Sequence, residues 1–148
     1  MSGILELTFA RPVAANPLLI GQLLDAVPCG FPSPAQDYDE GPIDLTQLLV
    51  EDEAATFLVR VAGTSMVDAG IEDGDVVLVD RSKTPRDGDV VVAVLDGDFT
   101  IKRLVRQRGT WALRAESSEW PDVTVDELSE LMIWGVVTVS FRFHRPRR

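Results

Sequence analysis

From Thr56 onward the chain is written as short runs of β-branched and aromatic residues cut by Gly/Asp turns, and this punctuation restricts the fold more than any other feature. Phe57-Leu58-Val59-Arg60-Val61 and Val76-Val77-Leu78-Val79-Asp80 have the length and composition of strands, and so do Val90–Leu95, Phe99–Val105, Trp111–Ala115 and Trp134–Phe141. The segments Ile71–Asp75, Pro85–Asp89 and Arg108-Gly109 read as turns, and Asp96-Gly97 is a two-residue hairpin signal. Val76–Asp80 carries apolar residues on both of its faces, and Val90–Leu95 is apolar throughout, which predicts a central strand. Trp120-Pro121 closes the region after Ala115, and Asp126–Leu131 reads as a short polar turn or a single helical turn. Many short strands at regular spacing predict a mainly β domain, a folded sheet or barrel.

The N-terminal part is different. Residues 1–42 hold six of the nine prolines: Pro12, Pro17, Pro28, Pro32, Pro34 and Pro42. Proline fixes φ, removes a donor and extends its predecessor, so little regular structure is expected here. The expected organisation is a flexible arm over 1–42 and a β domain over 43–148. Leu18–Leu24 reads as either a turn of helix or a docking strand. The arm's apolar residues are too many for a solvated linker and suit a segment lying on a surface. Ile43–Val50 predicts a short helix, with Asp44 as its cap and Leu45, Leu48 and Leu49 on one face.

Composition narrows the function classes. With 45% hydrophobic and 26% charged residues, a packed core is expected over disorder. A net charge of −10 opposes a domain that grips nucleic acid through phosphate contacts, and the basic end Arg142–Arg148 reads as a solvated tail. One cysteine excludes an intrachain disulfide and a thiolate cluster, and one histidine, His144, leaves no basis for a zinc site. No metal or cofactor is expected. There is no apolar run of about 18 residues and no secretory pattern at the start, so the expected location is cytoplasmic.

The chemistry begins at Ala62-Gly63-Thr64-Ser65-Met66, a polar interruption after the first strand. A serine nucleophile needs a base. His144 lies in the tail, which removes both Ser-His-Asp and Cys-His arrangements and leaves lysine or a carboxylate. Lys83 falls in a turn region, whereas Lys102 sits 37 residues after Ser65 in an apolar strand. Free lysine titrates near ~10.4, and only desolvation, which lowers it by up to about 3–5 units, makes it a base at neutral pH. Thr100 and Lys102 share one strand face, Ile101 and Arg103 the other. By pattern alone, Lys102 as an ordinary surface lysine and Ser65 as a loop hydrogen-bonder are the commoner cases. Met66, apolar directly after a polar turn, suits the start of a packed element with a backbone N–H facing an oxyanion.

Gly63-Thr64-Ser65-Met66, then Gly70-Ile71-Glu72-Asp73-Gly74-Asp75, then Phe99-Thr100-Ile101-Lys102-Arg103-Leu104 resemble the serine–lysine peptidase domain of the LexA/UmuD family, S24 type. The likeness is greatest to its UmuD branch. It extends over Phe31-Pro32-Ser33-Pro34-Ala35, Ile43-Asp44-Leu45, Gln47-Leu48-Leu49, Gly88–Ala93 and Asp96–Thr100, from about Val27 to about Val139. The resemblance implies a LexA/signal-peptidase-like fold. It implies Ser65 as nucleophile, Lys102 as general base and the backbone at Met66 as oxyanion contact. It also implies self-cleavage between Cys29 and Gly30, within Val27-Pro28-Cys29-Gly30-Phe31. That peptide suits the role physically: Cys29 is small, Gly30 admits close backbone approach, and Pro28 and Pro32 keep the flanks extended.

The same resemblance implies a homodimer whose cleavage is promoted by a RecA filament on single-stranded DNA. It implies that the product 30–148 serves an error-prone Y-family polymerase (a UmuC-like subunit) in the SOS response to DNA damage. The alternatives are a LexA-like self-cleaving transcriptional regulator and a non-cleaving module that binds polymerase or RecA. A signal-peptidase-like enzyme shares the chemistry but calls for a membrane anchor. The Pro-rich, non-basic residues before Cys29 oppose an operator-binding module. Ser117 stands where relatives often carry asparagine, a departure confined to one loop.

Overall fold

The strand pattern and its turns account for the architecture. The computed structural model describes residues 5–8, 18–23, 26–32, 39–124 and 131–146. The chain divides into two compact units, one comprising Met1–Arg11 and Asp52–Arg148, the other Pro12–Glu51.

The first unit is built on an eight-stranded sheet, mainly β as expected. Its strands are β1 (Leu5–Thr8), β4 (Thr56–Val61), β5 (Val76–Asp80), β6 (Val90–Leu95), β7 (Asp98–Gln107), β8 (Thr110–Arg114), β9 (Val123–Thr124) and β10 (Leu131–Phe141). They are ordered β1-β4-β5-β10-β6-β7-β8-β9, and every neighbouring pair is antiparallel. Asp96 and Gly97 both take positive φ (49° and 88°), as do Arg108 and Gly109 (51° and 80°). Those are the conformations a tight two-residue hairpin requires, so β6, β7 and β8 form a local meander.

The last strand, β10, inserts between β5 and β6. Its register shifts against β6 between Ile133 and Gly135, and against β5 between Val137 and Val139. Gly135 is required at the first irregularity, because a Cβ there would lie 2.4 Å from Val79 Cγ1. Two apolar clusters hold the sheet. One gathers Val59, Val61, Met66, Ile71, Val77, Val79, Val92 and Ile101. The other gathers Val91, Ala93, Leu104, Leu113 and Val136.

The second unit contains the hairpin of β2 (Leu19–Leu23) and β3 (Asp39–Asp44), followed by helix α1 (Leu45–Leu49). Asp44 caps α1 by accepting from the Thr46 N–H at 3.0 Å. The helix is shorter than Ile43–Val50 because Ile43 and Asp44 end β3, and Leu48 is 61% exposed, so its apolar face is not buried.

Proline density therefore suppresses strands less than expected. Within Leu18–Leu24 the described strand is Leu19–Leu23, and β1, β2 and most of β3 fall where little regular structure was expected. Pro42 is tolerated because β3 pairs on one side only, with Gly21 opposite it. Of the expected turn at Asp126–Leu131, only Leu131 is among the described residues, and it already belongs to β10. The described part of the basic tail, residues 142–146, is exposed as expected, but its first residue is anchored: Arg142 Nε and Nη2 donate to Asp75 at 3.2 and 3.0 Å, and Nη2 donates to the Gly70 carbonyl at 3.1 Å.

Candidate active site

Lys102 reaches its place through strand register. In β7 it stands opposite Val91 of β6, which is fully buried, and Lys102 itself is 2% exposed. An ammonium so placed has lost its water, and burial pushes the Lys102 side chain down from its ordinary 10.5 to about 8. The surface role that pattern alone favours is thereby excluded. Three acceptors replace water around Nζ: Thr100 Oγ1 at 2.9 Å, Ser65 Oγ at 3.1 Å and the Ile101 carbonyl at 3.2 Å.

Ser65 is delivered by the connection from β4 to β5. Gly63, at φ 97°, turns the chain out of β4, and its N–H donates to Asp73 Oδ1 at 2.7 Å. Met66 then buries its side chain to 1% exposure in the first apolar cluster. Its carbonyl accepts from the N–H groups of Ala69 and Ile71, both at 3.1 Å, which closes the single 3-10 turn Val67–Ala69. Asp75 fastens the far end of this connection. Burial alone would raise its carboxyl, but hydrogen bonds from Arg142 and the Glu72 N–H, with the Arg142 charge, hold it below its ordinary range.

A second segment straps the serine from the other side. The Glu116 N–H donates to the Ser65 carbonyl at 2.8 Å, and the Glu116 carbonyl accepts from the Asp68 N–H at 2.7 Å. Trp120 Nε1 donates to Thr64 Oγ1 at 3.0 Å. The Glu116 side chain is itself anchored, because Arg103 Nε donates to Oε1 at 2.9 Å while Arg103 Nη1 donates to the Gly88 carbonyl at 2.8 Å. One strand thus supplies the lysine from one face and, from the next residue, the anchor of the strap.

The structure brings Ser65, Met66 and Lys102 together. Cys29 and Gly30 belong to the other compact unit, where both are exposed, Cys29 is a free thiol and Phe31 is 93% exposed. A Cβ at Gly30 would meet nothing within 4 Å. Sequence reasoning missed three contributors. Thr100 was legible, since it lies two residues before Lys102 on the same strand face. Glu116 acts on Ser65 through its backbone and Trp120 through a contact 56 residues away, and neither leaves a local signal.

A buried serine hydroxyl within hydrogen-bond reach of an amine that titrates near 8 has the arrangement of a nucleophile and its base. Among the described residues no group of His, Cys, Asp or Glu is arranged to hold a metal ion, and no helix is long and apolar enough to cross a membrane.

Similarity to known proteins identifies the family. The Peptidase S24-like family model matches residues 20–138. Protein ImpA of Salmonella typhimurium is 42% identical over 124 residues, covering 83% of this chain and 82% of that protein. Protein SamA of Salmonella typhimurium strain LT2 is 43% identical over 120 residues, 81% of each chain. The LexA repressor of Vibrio parahaemolyticus is 42% identical over 125 residues, covering 84% of this chain but 58% of the repressor. With a strand-borne buried lysine, a strapped serine and relatives of this similarity over most of its length, the chain belongs to the S24 peptidase family, as a UmuD-like member.

Proposed function

We propose that the chain is a serine endopeptidase acting on itself, with Ser65 as nucleophile, Lys102 as general base and the Cys29–Gly30 bond as substrate. The observation that carries this reading is the 3.1 Å contact between Lys102 Nζ and Ser65 Oγ, both side chains being buried. Neutral Lys102 takes the Ser65 proton as the oxygen attacks the Cys29 carbonyl carbon. The backbone N–H at Met66 donates to the resulting oxyanion. The C–N bond breaks as Lys102 returns the proton to the Gly30 nitrogen, leaving residues 1–29 esterified to Ser65. Water then attacks the ester and gives its proton to Lys102, and the carboxylate of Cys29 is released with Ser65 restored. Tethering of substrate to enzyme in one chain raises the effective concentration of the peptide, which suits a single-turnover reaction.

The physiological reading follows the family. Cleavage belongs to the SOS response, is stimulated by a RecA filament on single-stranded DNA and takes place in a cytoplasmic homodimer. The product 30–148 is the accessory subunit of an error-prone Y-family, UmuC-like polymerase in translesion synthesis. Residues 1–42 act as the arm that presents the bond, and 43–148 as the peptidase-like body.

Incubation of the purified chain across pH tests the chemistry. With Lys102 at about 8, about one molecule in eleven has the neutral amine at pH 7, and cleavage should rise about tenfold per pH unit below that. A fragment beginning at Gly30 is expected, absent from Ser65→Ala and Lys102→Ala. Persistent cleavage in Lys102→Ala sinks the assignment of the base. Addition of RecA, single-stranded DNA and a nucleotide should accelerate the reaction at neutral pH, and no acceleration removes the proposed trigger.

A further inference from the structure

The residue before Ser65 is tied to a distant loop through side chains alone. Trp120 Nε1 donates to Thr64 Oγ1 at 3.0 Å. Thr64 is exposed and Trp120 half-buried, so this bond lies at the surface beside a buried serine. An indole N–H only donates, which makes the threonine hydroxyl the acceptor and fixes the direction of the bond.

Trp120 is brought there by a turn. The Ser117 carbonyl accepts from the Trp120 N–H at 3.4 Å, and Ser117 Oγ accepts from the Glu119 N–H at 3.3 Å. Serine and asparagine both make this local bond to an amide two residues on, so Ser117 retains the turn-forming chemistry of an asparagine. At the start of the same segment, the Glu116 backbone holds the Ser65 carbonyl and the Asp68 N–H. One loop thus grips residues 64, 65 and 68.

We infer that Trp120 is a positioning residue for Ser65, acting through the Thr64 hydroxyl, and that this bond serves the rate of the reaction far more than the stability of the fold. The inference rests on the Ser65 chemistry proposed above. Ser65 Oγ has to face Lys102 Nζ and an incoming carbonyl carbon together, and its place follows the backbone of residues 64–66. After the serine, the buried Met66 side chain fixes that backbone. Before it stands Gly63 at φ 97°, the most permissive residue type, held at its N–H by Asp73. Thr64 is the joint between them, and the indole is what holds its side chain. A neutral hydrogen bond open to water adds little to stability. A displacement of about 1 Å at a reacting group, in contrast, costs on the order of a hundredfold in rate.

The test compares Thr64→Val, Trp120→Phe, the double variant and Thr64→Ser in the full chain. Two rates are read: appearance of the fragment beginning at Gly30, and esterification of Ser65 by a fluorophosphonate, which loses fluoride to an activated serine. Thr64→Val and Trp120→Phe should each slow both rates about tenfold. The double variant should be no slower than either single one to within about twofold, because both remove the same bond. Thr64→Ser keeps the acceptor and should restore most of the rate lost in Thr64→Val. The pH midpoint of cleavage and the urea midpoint of unfolding should stay where they are in the unaltered chain. Unchanged rates, additive losses, a Thr64→Ser chain as slow as Thr64→Val, or losses that track a lowered urea midpoint each overturn the inference. Absence of the Gly30 fragment from the unaltered chain, with the same coupled losses in esterification, overturns only the assignment of the scissile bond. A Ser65 that the fluorophosphonate leaves untouched in the unaltered chain overturns the nucleophile and this inference together.

Discussion

Replacing Lys102 by methionine should remove a penalty that the fold carries for burying an amine. Burial lowers the lysine from 10.5 to about 8, a drop that corresponds to about 3 kcal/mol. The folded value lies below the unfolded one, so the cost is full below about 8 and disappears as pH rises through 10.5. Between those values unfolding takes up a proton, and the lysine chain gains stability with pH. From pH 7 to pH 9.5 it should gain about 2 kcal/mol relative to Lys102→Met. The methionine fills a similar volume but loses the contacts to Thr100 Oγ1 and the Ile101 carbonyl. That loss does not titrate, so it cancels in the pH difference. Urea unfolding of both chains at the two pH values, each carrying Ser65→Ala to block cleavage, measures the quantity. A difference that stays constant within about 0.5 kcal/mol would refute the claim that Lys102 is desolvated in the folded protein.

Three further outcomes are expected. Arg103→Ala releases the anchor of Glu116 and should slow cleavage severalfold with its pH midpoint unmoved, because Arg103 acts on the position of Ser65 and not on the amine; a shifted midpoint contradicts this. Gly135→Ala drives a methyl against buried Val79 and should destabilise by about 1–3 kcal/mol, read as a lowered urea midpoint with unchanged slope. Arg142→Ala leaves the 7%-exposed Asp75 carboxylate without its cation and should destabilise the chain at neutral pH. The Asp75 carboxyl is held low, so that difference should shrink as pH falls through its folded value, which acid titration of both chains will show.

The β half of the fold was legible because each of its turns declares itself locally. Asp96-Gly97 and Arg108-Gly109 carry the backbone angles that their sequences suggest, and the strands around them are buried on both faces at their centres, over Thr100–Lys102 and Ala112-Leu113. Strand order was not legible, since the insertion of β10 between β5 and β6 depends on pairings far apart in sequence. The N-terminal strands were hidden by proline, whose penalty vanishes at a strand edge, as at Pro42. At the site, excluding histidine left lysine or a carboxylate, and the apolar strand singled out Lys102 as the candidate base, yet its burial required knowing that Val91 lies across from it. The strap through Glu116 had no signature, because a backbone amide serves equally well under any side chain.

The position of β10 also governs when the site can exist. Ser65 rides on the β4–β5 side of the sheet and Lys102 on the β6–β7 side, and in the order of hydrogen-bonded strands only β10 lies between β5 and β6. A growing chain therefore carries both reactive groups well before it has made the strand that joins their two halves. Until Leu131–Phe141 is in place, the meander holding Lys102 can assemble from its own hairpins, but the ladder is broken there and only the Glu116 strap and the shared apolar cluster join it to the serine's connection. On the Ser65/Lys102 chemistry proposed above, the site would then be assembled only in a chain completed through β10.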